Sequence, residues 1–483
     1  MSSATLTRQN RASRVGGAVV LAAAAFLALV SARPHAGSWQ DGSRLAIAEA
    51  LVDQHTFAID HSIFVQVPAY PDGRGPYPAD EPALLKTGTC DKLFIRGHYY
   101  SDRPVPAALM AGLYQVWRYA GGTTARQRPD RFCRAMTLAT AGLAYVIAVW
   151  CVYRLGTTLR LGWPVCQALT ASFALATVAL TYTRYVNTHM MLLGVGAALF
   201  LGVTPRADEA SRHRAPRLRL AWLGTLAGLG YTLDLGAGPI LLAGLLVLTA
   251  YRYRRVGPLA LVVGGAVPWL VAHHLINYAI GGTFKPINSV PAYSAWPGCP
   301  FTAESLTGTW KHGVGHFCVY ALALVLGKRG FIGHNLPLFL TLPGLALLLR
   351  RRPAELPEVL FAAGWCGGTW LLYAAMSNNY SGACCSVRWF VPLLAPGYYV
   401  LAVFLRDCPA YRRDFWVFSA WGAVLAGIMW WYGPWIRHAV PLFWPLQAAA
   451  LVSWFVCRQR QRRLGQGQGG IMTPEAGLPA QAA

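Results

Sequence analysis

The chain has 483 residues, of which 55% are hydrophobic and only 13% charged, and its mean hydropathy is +0.37. This composition excludes a string of soluble domains and points to a polytopic membrane protein. The net charge of +23 would suit a phosphate backbone if it formed one face. Instead the arginines cluster between apolar runs, where they fix topology, so no nucleic-acid partner is expected.

Arg8, Arg11 and Arg14 precede the apolar run Val15–Ser31. The sequence Ser31-Ala32-Arg33 is a poor cleavage site, so an uncleaved first helix is predicted. Further spans are predicted over 132–152, 163–182, 188–204, 219–236, 238–253, 256–276, 335–350, 357–376, 389–405, 415–432 and 440–457, about twelve transmembrane helices in all. Several fall short of the roughly 20 residues that a hydrocarbon core requires, which predicts broken or tilted helices. The expected fold is therefore an all-α polytopic membrane protein with a large first extracytoplasmic loop. With the N-terminus in the cytoplasm, every dense arginine cluster falls inside: Arg154/Arg160, Arg206 to Arg219, Arg252/Arg254/Arg255, Arg350 to Arg352, Arg406/Arg412/Arg413 and Arg458 to Arg463. That alternation requires 104–120 to lie on the outer surface rather than to span. The chain then divides into a cytoplasmic N-terminus (1–14), a transmembrane body (15–457) with extracytoplasmic loops 32–131 and 277–334, and a disordered cytoplasmic tail (458–483).

Loop 32–131 holds ten of the nineteen carboxylates: Asp41, Glu49, Asp53, Asp60, Asp72, Asp80, Glu81, Asp91, Asp102 and Asp130. A chain this apolar that gathers its acids in one loop has placed its chemistry there. Leu45, Ala48, Leu51 and Val52 have the spacing of an amphipathic helix along the outer surface, with Asp41 at its start. There Asp41 is either a helix cap or a carboxylate that takes a proton from a hydroxyl. The positive helix end favours its ionised form and predicts a weak base. Asp102-Arg103-Pro104 closes the loop, and proline holds Arg103 extended, fit for a phosphate through its planar fork. Lys285, Lys328, Arg329 and Arg388 lie outside, against the positive-inside bias, and an anionic headgroup would supply the reason. Asp234 falls near the outer end of an apolar hairpin, where an acid is a functional candidate. The candidate substrate contacts are Arg44, Asp91, Lys92, His98, Asp102, Arg103, Lys285, Lys328, Arg329, Asn379, Tyr380 and Arg388. His312 and His316 are four apart, but no carboxylate or third ligand accompanies them, so there is no clear metal-site motif. No metal ligand is assigned, and a need for a divalent cation is left open. The stretch from His61 to Leu85 has the Pro, Tyr and Asp content of a flexible lid.

Several segments carry a resemblance: Asp53-Gln54-His55-Thr56-Phe57-Ala58-Ile59-Asp60, Gly97-His98-Tyr99-Tyr100-Ser101-Asp102-Arg103-Pro104, Lys328-Arg329-Gly330-Phe331, Asn379-Tyr380-Ser381-Gly382 and Arg388-Trp389. Their joint order resembles the GT-C superfamily of integral-membrane glycosyltransferases, in particular the bacterial branch of protein O-mannosyltransferases and the aminoarabinose transferase. The resemblance implies transfer of a hexose or pentose from a polyprenyl-phosphate carrier to a lipid, glycan or protein acceptor. It implies that transfer takes place on the extracytoplasmic face of a bacterial inner membrane, with inversion. It also implies that Asp41 is catalytic and that Arg103 contacts the carrier phosphate. Relatives often carry two adjacent acids where this chain has Gln40-Asp41-Gly42, and Lys-Pro-Pro where it has Arg103-Pro104-Val105-Pro106. The competing functions are a transporter or lipid flippase, which would place ionisable groups at a midplane cavity between paired halves, and a non-catalytic scaffold.

Overall fold

Long apolar runs must satisfy their backbone groups internally, and helices do so. The computed structural model describes residues 3–205, 217–302, 305–308, 310, 313–436 and 438–468. In chain order its main elements are α1 (Ser3–Ser31), α2 (Trp39–Asp53), α3 (Pro82–Thr87), β1 (Lys92–Ile95), β2 (His98–Ser101) and α4 (Pro104–Tyr119). These are followed by α5 (Pro129–Thr158), α6 (Trp163–Leu175), α7 (Ala179–Tyr182), α8 (Thr188–Val203), α9 (Arg217–Leu233), α10 (Ala237–Tyr253), α11 (Val256–Gly281), α12 (Val314–Leu326), α13 (Thr341–Arg351) and α14 (Leu356–Met376). Last come α15 (Arg388–Asp407) and α16 (Pro409–Tyr432), then α17 (Phe443–Gln468). Among the described residues, α5, α11, α14, α15 and α16 are long and apolar enough to cross a membrane, and four shorter apolar helices accompany them. The chain is an integral membrane protein built almost wholly of helices.

The predicted span 163–182 is broken. The helix stops at Leu175 and resumes at Ala179. Thr177 donates its hydroxyl to the Phe173 carbonyl at 2.7 Å, and the Asn335 side chain accepts the freed Val178 N–H at 2.9 Å. Segment 335–350 likewise starts as a 3₁₀ turn, Leu336–Leu340, before α13. Loop 277–334 holds an apolar helix that the sequence did not announce, α12. Its 13 residues rise only about 20 Å, below the length by which spans are recognised. It packs on α14, where Tyr320 meets Ser377 at 3.0 Å.

Loop 32–131 folds around its own core of Leu45, Ile47, Ile59, Ile63, Phe64, Tyr77, Met110, Tyr114 and Phe132, separate from the main helical core. α4 begins on Pro104, where a missing N–H costs nothing. It buries Val105, Ala107, Met110 and Tyr114 and packs on α2. α2 differs from the expected surface helix, because every residue from Gln40 to Ala50 is buried, polar ones included. Asp41 and Glu49 find their partners in the flanking loops. The Glu49 carboxylate accepts from Ser62 Oγ at 2.6 Å and from Ile63 N–H at 3.0 Å, pinning the following loop to the helix. The stretch from His61 to Leu85, expected to be a flexible lid, is tied down. Tyr77 is buried and donates to the Phe64 carbonyl at 2.9 Å, and Ala36 N–H donates to the Pro76 carbonyl at 2.8 Å.

Candidate functional site

The site begins with a hairpin. β1 and β2 pair antiparallel with Lys92 opposite Ser101. Arg96 and Gly97, at φ of 51° and 88°, form the two-residue turn that the strand twist favours. That register brings Asp91 and Asp102, just outside the paired strands, to the same end of the hairpin. Beside them lies the start of α2, where Ser43 Oγ meets Ser101 Oγ at 2.8 Å. Arg44, only 2% exposed, reaches Asp102 with Nη1 at 2.7 Å and Nη2 at 3.3 Å. Burial and the neighbouring Asp102 charge raise the Asp91 carboxyl above its usual range, with Arg44, Arg388 and Arg103 near enough to oppose the rise.

Two further arginines join them, Arg103 from the end of the hairpin and Arg388 from far along the chain. Arg103 follows β2 and lies against the α9–α10 turn, its Nη1 3.4 Å from the Leu233 carbonyl and 3.6 Å from Asp234 Oδ2. Asp234 is fully buried, and its Oδ1 accepts from the N–H groups of Gly236 and Ala237, both at 2.8 Å, and from Tyr373 Oη at 2.9 Å. His189 Nδ1 stands 3.2 Å from Oδ2 of the same carboxylate. Tyr373 stacks on Trp389 at 4.4 Å, next to Arg388, whose guanidinium donates to the Gln40 side chain. The Nε of Arg44, of Arg103 and of Arg388 is buried and finds no hydrogen-bond partner among the described residues. Three guanidiniums with unspent donors in one place can bind an oxyanion.

Asp41 lies in the first turn of α2 and is fully buried. Its Oδ2 accepts the Gly37 N–H at 2.7 Å and its Oδ1 accepts the Ser38 hydroxyl. Burial raises its carboxyl to about 6 against these bonds. The sequence-based expectation of a weak base at a helix end is thereby corrected, because desolvation outweighs the helix end. Gly42 is required here, since a Cβ would lie 2.2 Å from Tyr77 Oη.

Of the candidate contacts, Arg44, Asp91, Asp102, Arg103 and Arg388 come together. Lys92 points elsewhere, into an aromatic cage with Nζ 4.7 Å from the Tyr99 ring and 4.8 Å from the Trp296 ring. His98 pairs with Asp60 at 3.2 Å on the exposed side of the hairpin. Lys285 and Lys328 are exposed. Arg329 lies 6.0 Å over Tyr380 and donates to the Gly382 carbonyl at 3.3 Å, and Asn379 donates to the Ser305 carbonyl at 3.2 Å. Gln40, His189 and Tyr373 belong to the site but were not singled out from sequence, as each is a lone residue whose role rests on contacts across the fold. Among the described residues no group of three or more His, Cys, Asp or Glu side chains comes together, and His312 lies outside the described residues.

No family model and no curated protein matches the chain. Among solved structures, ArnT from Cupriavidus metallidurans bound to undecaprenyl phosphate aligns with 86% of this chain and 70% of its own, at 14% identity and a TM-score of 0.49. The apo state of that protein gives 0.48 over the same shares. An oligosaccharyltransferase from Archaeoglobus fulgidus aligns with 88% of this chain, which spans 56% of its length, at 12% identity and a TM-score of 0.42.

Proposed function

We propose that the chain transfers a sugar from a polyprenyl-phosphate donor to an acceptor on the extracytoplasmic face of the membrane, with inversion at the anomeric carbon. The observation that carries this reading is the convergence of Arg44, Arg103 and Arg388, each with a buried, unspent Nε. A departing phosphate placed there would have its charge stabilised by donors already in position, at no reorganisation cost. Asp41 is the base. The acceptor hydroxyl gives up its proton to this carboxylate as the hydroxyl oxygen bonds to the anomeric carbon, and the bond from that carbon to the phosphate oxygen breaks. The phosphate leaves as a stable dianion, so no acid is needed to expel it. Because Ser38 covers Oδ1 of Asp41, either Ser38 turns aside or its hydroxyl passes the proton on.

In the same reading about twelve spans carry the chain through a bacterial inner membrane, with residues 1–14 and 458–483 in the cytoplasm and loops 32–131 and 277–334 outside. Apolar helix faces hold the polyprenyl tail. The decisive experiment incubates the purified chain with radiolabelled polyprenyl-phosphate sugars and a crude envelope fraction as acceptor. Label should move into the acceptor fraction. No transfer from any such donor, with the protein folded, would sink the proposal.

A further inference from the structure

A second set of unspent donors lies on the other flank of Asp41. Arg33 and Arg184 come from the loop after α1 and the turn before α8, and Arg33 N–H donates to the Arg184 carbonyl at 3.0 Å. Arg184 is 6% exposed, and its Nη1 caps the end of α16 by donating to the Trp430 carbonyl and, at 3.1 Å, to that of Trp431. Its Nε, the Nε of Arg33, Nδ1 of His35 and Nε1 of Trp435 are all buried with no hydrogen-bond partner among the described residues. Among the described residues no carboxylate forms an ion pair with Arg33 or Arg184. Burial and the two arginines lower the pKa of His35, against the Ala36 backbone and the Asp80 charge, and in the neutral ring Nδ1 can accept or donate.

Aromatic rings wall this patch. Tyr185 lies 6.0 Å from the His35 ring and 6.1 Å from Trp435. Both rings press on Gly37, where a Cβ would lie 2.6 Å from Tyr185 and 2.7 Å from Trp435. Gly37 is also the residue whose N–H holds Asp41. Arg388 lies 5.8 Å over the Trp435 ring, so Trp435 stands between the two groups of arginines, with Asp41 beside it. Unspent cationic donors next to flat aromatic faces suit a sugar ring that carries an anionic group, with the ring's C–H face against the aromatics.

We propose that Arg33, His35, Arg184 and Trp435 form an acceptor subsite for an anionic sugar, separate from the phosphate site at Arg44, Arg103 and Arg388. Its role as acceptor subsite rests on the transfer reading above, while its test reads binding, so the two can fail separately. The full chain in nanodiscs is saturated with undecaprenyl phosphate, which fills the first site. Glucose 1-phosphate, glucuronate, glucose and inorganic phosphate are then titrated by saturation-transfer NMR or, for phosphate, by competition. The charged sugars should bind about 10-fold more tightly than glucose or inorganic phosphate. Arg33→Gln should weaken them by about 10-fold while Arg44→Gln leaves them unchanged. Displacement of the charged sugars by undecaprenyl phosphate would show a single anion site and overturn the proposal. Equal binding of glucose would remove the anion, and equal binding of inorganic phosphate would remove the sugar. Unchanged binding in Arg33→Gln, with the protein folded, would remove the site itself.

Discussion

Arginines at the two ends of the helical body are used in opposite ways. At one end Arg252, Arg406 and Arg458 each commit Nε to a carboxylate: Glu358 at 2.8 Å, Asp407 at 2.7 Å and Asp414 at 3.1 Å. A second nitrogen of each is also bound to an acid, at Glu358, Glu355 and Asp414. These are closed pairs that tie helix to helix. At the other end Arg44, Arg103 and Arg388, and beyond them Arg33 and Arg184, keep Nε buried and unspent. A buried donor without a partner costs about 1–3 kcal/mol, so five of them in one region mark a place kept open for something else. Fixed topology needs only the first arrangement, whereas binding an anion needs the second.

The comparison breaks most clearly at Asp41. Asp41→Asn keeps the acceptor for the Gly37 N–H and should leave the amount of folded protein unchanged. Transfer should fall by about 10²- to 10⁴-fold, the usual contribution of a general base. Near-normal turnover, measured as label transferred per folded chain, would show that Asp41 merely staples the start of α2. Next is Arg103→Ala, which should raise the donor concentration for half-saturation by about 10- to 100-fold, as expected for a lost charged hydrogen bond. Donor titration against constant acceptor checks it, and an unchanged curve would place the phosphate elsewhere. The pH dependence follows from the sign of the Asp41 shift. The carboxyl is raised to about 6 and the base must be ionised, so turnover should rise about 5-fold from pH 5 to 6, about 10-fold from pH 5 to 7, and level off above about pH 7. A profile flat from pH 5 to 8 would exclude Asp41 as the titrating base.

Much of this was legible in the chain. The arginine clusters and apolar runs marked helices, and the crowding of acids in residues 32–131 marked the loop in which Arg44, Asp91, Asp102 and Arg103 come together. Asp102-Arg103-Pro104 was readable because proline and β2 leave Arg103 few places to go. The role of Arg44 depends on the hairpin register that brings Asp102 to it, and the role of Gln40 on Arg388, 348 residues away. No local pattern announces such pairings. Lys92 shows the converse error. It adjoins Asp91 in sequence, but alternation along β1 turns it away toward Tyr99 and Trp296. The break between α6 and α7 was invisible because the Asn335 side chain that stabilises it comes from far along the chain.

The smallest expected effect on chemistry lies at the closed end. Arg252→Gln removes a pair with Glu358, which is 2% exposed, from an arginine that is 33% exposed. Leaving a buried carboxylate unpaired is costly, but access of solvent to the arginine side softens the loss. About 1–2 kcal/mol of stability is expected, read as a lowered unfolding midpoint in detergent. Half-saturation by donor and turnover per folded chain should not move. If Arg252→Gln shifts donor saturation as Arg103→Ala does, the two ends are coupled through the helices. The division between closed pairs that hold the fold and open arginines proposed to bind the phosphate would then be lost.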